Sequence, residues 1–236
     1  MLTFRVLSAL LGYPAPELKS HAAEAERILR SEGLLSDEHL HGLCGFLRYL
    51  QDTAQLDVES TYVDAFDRGR STSLHLFEHI HGDSRDRGQA MAKLVTRYSA
   101  HGLQFDHREL PDYLPLFLEF LSTRPAAEAR SHLAEVGDIA ELIGQRLRRR
   151  GTPYAAVLEA IASLSERAID RAAIASIATQ EERDDTPAAL DAAWQEAPVT
   201  FNEAGALPTQ QPSCNGEALQ TGRATRHQES RVRSRQ

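Results

Sequence analysis

The sequence predicts an all-α protein: a single-domain helical bundle of about eight to ten helices followed by a disordered C-terminal tail. Three observations carry this reading. Apolar residues recur at helical spacing from the N-terminus to about residue 168. Glycine or proline stands at the ends of several of those stripes, as at Gly12-Tyr13-Pro14, Gly33, Gly102 and Gly151. No stretch alternates apolar and polar residues well enough to specify a strand.

The elements follow in order. Leu7, Leu10 and Leu11 mark a short first helix that Gly12-Tyr13-Pro14 stops, because proline disfavours helical geometry in the residue before it. Pro16 suits the first turn of the next helix, where Leu18, Ala22, Ala25 and Leu29 form the stripe and Gly33 the stop. Leu40, Leu43, Leu47 and Leu50 line a third helix, entered through Ser36-Asp37-Glu38, and Val58, Tyr62 and Phe66 a fourth. Met91, Leu94, Val95 and Tyr98 fit the template again and end at Gly102.

Leu110-Pro111-Asp112-Tyr113-Leu114-Pro115 is the most restricted connector, with Asp112 expected to cap the helix that carries Leu114, Phe117, Leu118 and Leu121. Pro125 opens a long helix through Leu133, Val136, Ala140, Ile143 and Leu147, ended by Arg148-Arg149-Arg150, which complement the macrodipole, and by Gly151. Thr152-Pro153 then starts a last core helix through Val157, Ile161, Leu164 and Ala168. The resulting division is a helical domain over 1–180, a charged linker and short docking segment over 181–201 that contains Trp194 and Phe201, and a disordered tail over 202–236.

Composition narrows the function. A net charge of −8 argues against a nucleic-acid partner. Cys44 and Cys214 are too few and too far apart for a disulfide framework, which fits a reducing compartment. There is no leader-like N-terminus, and no apolar run reaches the roughly 18 to 20 residues needed to span a bilayer. A cytoplasmic protein without stable membrane association is expected.

One stretch is chemically dense. Leu74 to Met91 holds three histidines, three carboxylates and two arginines in eighteen residues. His75-x-x-Glu78-His79 is an inverted zinc-protease spelling that would place two imidazoles one turn apart, with Glu78 as base. Such a site needs a third ligand, for which Glu119, Glu128 and Glu135 are available. The other reading is an interaction surface: a helix ending at Gly82, a charged turn, and a helix capped by Asp83 or Ser84. Arg85 and Arg87, interleaved with Asp83 and Asp86, would then form local ion pairs or take a partner's carboxylates. No phosphate loop and no nucleophile constellation is present.

Longer blocks carry a resemblance. Leu11-Gly12-Tyr13-Pro14, Tyr62-Val63-Asp64-Ala65-Phe66-Asp67, the run Ser73 to Met91, Leu110 to Pro115 with Glu119-Phe120, and Trp194-Gln195-Glu196-Ala197-Pro198-Val199-x-Phe201 are similar, in order and spacing, to the signature blocks of the NarJ family. These are the molybdenum-cofactor assembly chaperones of respiratory nitrate reductase, also called its delta subunit. The likeness extends over about residues 1–201.

It implies an all-helical cytoplasmic chaperone with no catalytic activity and no cofactor of its own. Such a chaperone binds the N-terminal segment of the catalytic (alpha) subunit, assists cofactor insertion, delays membrane attachment and leaves the finished enzyme. The position of His75 is often aromatic in that family, which makes the zinc spelling a local accident. Carried onto the matched blocks, client-peptide binding is expected of Tyr62, Phe66, Glu78, His79, Asp83, Arg85, Arg87, Met91, Asp112, Tyr113 and Glu119.

Overall fold

The structure, a computed structural model, describes residues 1–81, 84–103 and 109–194. Among these residues there are thirteen α-helices and one 3-10 turn but no strand, as the sequence predicts. The single pairing of extended backbone is an isolated antiparallel bridge between His75 and Tyr113. No helix among the described residues is long and apolar enough to cross a membrane. Asp83, Phe201 and the 202–236 tail lie outside the described residues.

Two packed pairs form the centre. α1 (Leu2–Leu11) lies on α8 (Leu114–Ser122), and α10 (Gly137–Arg150) lies on α11 (Ala155–Ser163). α11 also meets α4 (Asp37–Asp52), which in turn packs on α3 (Ala22–Glu32). Much of each stripe read from the sequence is buried: Leu7, Leu11, Leu114, Leu118, Leu121, Ile143, Leu147 and Ile161 are fully inaccessible, while Leu18, Leu40, Met91 and Val95 are half-buried and Ala168 is exposed. Each such side chain contributes about 2 kcal/mol by removal from water.

Several ends match the expected signals. Ser36 caps α4 by accepting the His39 N–H at 3.4 Å. Gly33 and Gly151 sit at φ 58° and 73°, the left-handed region that ends a helix without a steric penalty when no Cβ is present.

Other boundaries differ, for physical reasons. The helix expected from Pro125 through Leu147 is two, α9 (Ala126–Ala134) and α10, broken at Glu135-Val136. The break brings Gly137 against the chain after α11, where a Cβ would stand 2.9 Å from the Ser165 hydroxyl. The apolar period runs through it because Leu133, Val136, Ala140 and Ile143 face one core from both sides.

α11 ends at Ser163, short of Ala168, and a further helix, α12 (Arg171–Gln180), begins at Asp170, which accepts the Ala173 N–H at 3.0 Å. α12 buries only Ala178, so it has no stripe for sequence periodicity to find. Thr152-Pro153, expected to start that helix, lies just ahead of it: Tyr154 stands at the N-cap of α11, with no side-chain cap bond. A short α2 (Pro16–Ser20) precedes α3, and Pro16 starts it as expected.

Candidate functional site

The chemically dense stretch folds against the restricted connector. The Leu76 N–H donates to the Asp112 carbonyl at 3.0 Å, and the Leu114 N–H donates to the Leu74 carbonyl at 2.8 Å. These bonds place the Asp112 carboxylate, fully buried, under the start of α6 (Leu76–His81), where Oδ2 accepts the Phe77 N–H at 3.0 Å. Asp112 therefore caps α6, a helix 35 residues upstream, and not α8, whose N-cap is Tyr113 with no side-chain bond. The expectation that it caps its own following helix is corrected: the connector turns its side chain back towards the helix that precedes α7.

Charges gather round this carboxylate. Arg87, on α7 (Arg85–Ala100), reaches Glu78 at 3.3 Å and Asp112 at 3.9 Å. His75 Nδ1 lies 3.4 Å from Asp112 Oδ1, close enough for charge pairing but not aligned as a hydrogen bond. The neighbouring Asp112 carboxylate raises the His75 pKa above its ordinary value, against the opposing effect of burial.

His79, one turn on, behaves oppositely. One of its ring nitrogens, Nδ1, faces the Arg146 guanidinium at 3.4 Å, and a guanidinium can only donate. Nε2 therefore carries the proton and donates to the Ser73 carbonyl at 2.8 Å. Burial first, with the Arg146 charge adding to it, pushes the His79 pKa down.

The two imidazoles are thus committed to different neighbours, and Glu78 to Arg87. Among the described residues no three His, Cys, Asp or Glu side chains are placed to hold a metal ion. The zinc-hydrolase reading gains no support from this geometry.

An aromatic group adjoins the same connector. Tyr62, on α5 (Gln55–Phe66), donates its hydroxyl to the Leu11 carbonyl at 3.0 Å and lies 3.2 Å from the Tyr113 hydroxyl. Tyr13 meets Tyr62 edge-on with ring centroids 5.5 Å apart and is 57% exposed. Phe66 and Tyr154 complete the cluster at 5.0 and 5.7 Å from Tyr62.

Phe66 also opens onto a cleft of about 710 Å³, walled by Asp67, Arg70, Ser73 and Glu78 on one side and by Leu190 on the other. Leu190 belongs to α13 (Pro187–Trp194), which Thr186 caps by accepting the Ala189 N–H at 3.2 Å. The chain leading to α13 is held by charge. Arg146 grips Glu181 with two bonds of 2.7 and 2.6 Å and donates to the Ser71 carbonyl at 2.6 Å. Asp184 accepts from the Ser71 N–H at 2.8 Å, the Ser71 hydroxyl at 2.6 Å and Arg150 at 2.6 Å. Arg150 is buried and also lies 3.5 Å from Asp185.

The structure therefore brings Glu78, Arg87 and Asp112 into one network, and Tyr62, Phe66 and Tyr113 into an adjoining one, with His79 at the junction with α10. Met91 is half-buried on α7, while Arg85 and Glu119 are exposed and join neither network. The arginines of α10 and the carboxylates after α12 are what sequence reasoning missed. Arg150 reads as a macrodipole complement and 181–185 as a solvated linker. The available signal was four arginines on one helix, answered by Glu181, Glu182, Asp184 and Asp185 just ahead of a Thr-Pro helix start.

Fold and site together define an all-helical protein whose charged groups pin segments to one another around a cleft. The chain belongs to the nitrate reductase delta subunit family, whose model matches residues 34–160. It is 44% identical over 201 residues to the nitrate reductase molybdenum cofactor assembly chaperone NarJ of Escherichia coli (strain K12), covering 85% of both chains. It is 40% identical over 203 residues to the probable nitrate reductase molybdenum cofactor assembly chaperone NarW of the same strain, covering 86% of this chain and 85% of that one. To the probable nitrate reductase molybdenum cofactor assembly chaperone NarJ of Bacillus subtilis (strain 168) it is 28% identical over 170 residues, or 70% and 89% of the two lengths.

Proposed function

We propose that this chain is a cytoplasmic, system-specific chaperone of respiratory nitrate reductase, without catalytic activity. It binds the N-terminal segment of the catalytic subunit, assists molybdenum-cofactor insertion, delays membrane attachment until assembly is complete, and is absent from the finished enzyme. The observation that carries this reading is the 44% identity to the Escherichia coli chaperone across 85% of both lengths.

Within this reading residues 1–180 are the chaperone domain. Phe66, Glu78 and Tyr113 are the expected residues that meet the client. Asp112, Tyr62 and His79 hold the surface in shape, since they already bond to the backbone of Phe77, Leu11 and Ser73 respectively. A peptide laid against a helical cleft is an established recognition mode.

Calorimetry with a synthetic peptide of the catalytic subunit's N-terminal residues tests the proposal. Saturable binding in the micromolar range or tighter is expected, together with restored nitrate reductase activity when the gene complements a strain lacking its own chaperone. Absence of both refutes it.

A further inference from the structure

The segment between α12 and α13 is held in an unusual way. Of residues 181–192 none is buried, although Ala178 just before them is. The segment is fixed chiefly by its carboxylates: Glu181 on Arg146, Asp184 on Arg150 and Ser71, and Asp185 on Arg150, with Arg149 donating to the Glu181 carbonyl at 3.2 Å. Side chains of that kind hold a place without a large hydrophobic contribution, through charge-assisted bonds that an incoming chain can compete for.

What the segment delivers is the Ala189–Leu190 face of α13, set against Phe66, Asp67 and Glu78 across the cleft. Two small or medium side chains leave much of about 710 Å³ unfilled beside an aromatic wall. The far side is shaped to receive the segment. At Gly69 a Cβ would stand 2.6 Å from the Asp184 carboxylate, so any larger residue there would push the acid out of its place. The backbone at Gly69 is extended, with φ −154°, so its lack of a side chain serves that approach and not a strained conformation.

We propose that the cleft under α13 is the seat of the client segment, and that residues 181–192 are a strap that lies across it in the free protein and yields to the client. The inference rests on the functional reading above. The occupant that replaces α13 is a segment with larger apolar side chains, able to fill the room beside Phe66 that Ala189 and Leu190 leave open. The ion pairs set the threshold it has to exceed.

The test uses the full chain in three forms and a synthetic peptide of the catalytic subunit's N-terminal residues as probe. Gly69→Val places methyl groups where the Asp184 carboxylate sits and lifts the strap. Ser71→Cys with Asp184→Cys, in a Cys214→Ser background, locks it when oxidised and frees it when reduced. The lifted and the reduced forms should bind at least fivefold more tightly than the unaltered chain, and the oxidised form at least tenfold more weakly. Hydrogen exchange of the 187–192 amides in the unaltered chain should accelerate at peptide saturation.

Because oxidised and reduced forms are one sample, a folding defect cannot mimic the difference. Equal affinity in the two redox forms overturns the strap while leaving the functional reading intact. Binding by the freed forms alone supports the strap. Failure of all forms to bind overturns the functional reading and this inference with it.

Discussion

Replacing Asp112 by alanine removes one carboxylate that several elements use at once. The Phe77 N–H loses a charged acceptor at 3.0 Å, a bond worth about 1.5–3 kcal/mol. His75 and Arg87 lose the anion beside them, but their side chains are 28% and 20% exposed and can turn to water, so this adds only about 0.5–1 kcal/mol. The sum is about 3 kcal/mol, near the low end of what breaking a buried charge interaction costs.

Asp112→Asn keeps an acceptor for Phe77 and gives up only the charge, so it should cost about half as much. Urea unfolding followed by far-ultraviolet circular dichroism reads both. With a denaturant slope of about 2–3 kcal/mol per molar, the alanine variant's midpoint falls by about 1 M. The carboxylate holds the His75 pKa up, so the stability that this pair contributes is fully present below about pH 6.5 and is lost as pH rises through the folded value. The gap between the unaltered chain and Asp112→Asn should therefore be wider at pH 5.5 than at pH 8. If alanine and asparagine cost the same, or alanine costs under about 1 kcal/mol, the capping and pairing account is wrong.

Three further outcomes are expected. His79, whose pKa burial depresses, contributes stability above about pH 6.5 that is lost as pH falls below that value, so nuclear magnetic resonance titration should move His75 and His79 to opposite sides of the ordinary histidine value. Tyr154 is fully buried and its hydroxyl has no hydrogen-bond partner among the described residues, so Tyr154→Phe should raise unfolding stability by about 1 kcal/mol while keeping its ring contacts. Glu181, Asp184 and Asp185 are all held below the usual carboxylate range. The stability they give the strap is present above about pH 4 and lost as pH falls through their folded values; hydrogen exchange of 187–192 should rise in acid before that of α10 does.

The helices were legible because burial on one side leaves a periodic trace, and Leu114, Phe117, Leu118 and Leu121 are inaccessible as that trace requires. Periodicity does not register where the chain bends between two helices that face one core, and Glu135-Val136 went unseen for that reason. It also fails for a helix that buries almost nothing, such as α12. At the site, charge density marked a stretch in which Glu78 and Arg87 pair. Charge density does not say who answers a charge. Asp112 reaches back 35 residues to Phe77, and Arg146 reaches forward 35 to Glu181. Both bonds depend on which segments the bundle brings side by side, information that a local spacing rule lacks.

The bridge between His75 and Tyr113 has a topological consequence. Leu74 and Leu114, on either side of it, are core residues, and the backbone bonds there tie the two ends of the intervening chain together. The two ends of the stretch 76–112 are thus held together, while Leu76, Leu94 and Tyr98 within it pack into the core. Of the sixteen residues of α7 only Leu94 and Tyr98 are buried. A closed excursion anchored so lightly can lengthen or shorten at small thermodynamic expense, about 0.6 kcal/mol for each doubling of its length.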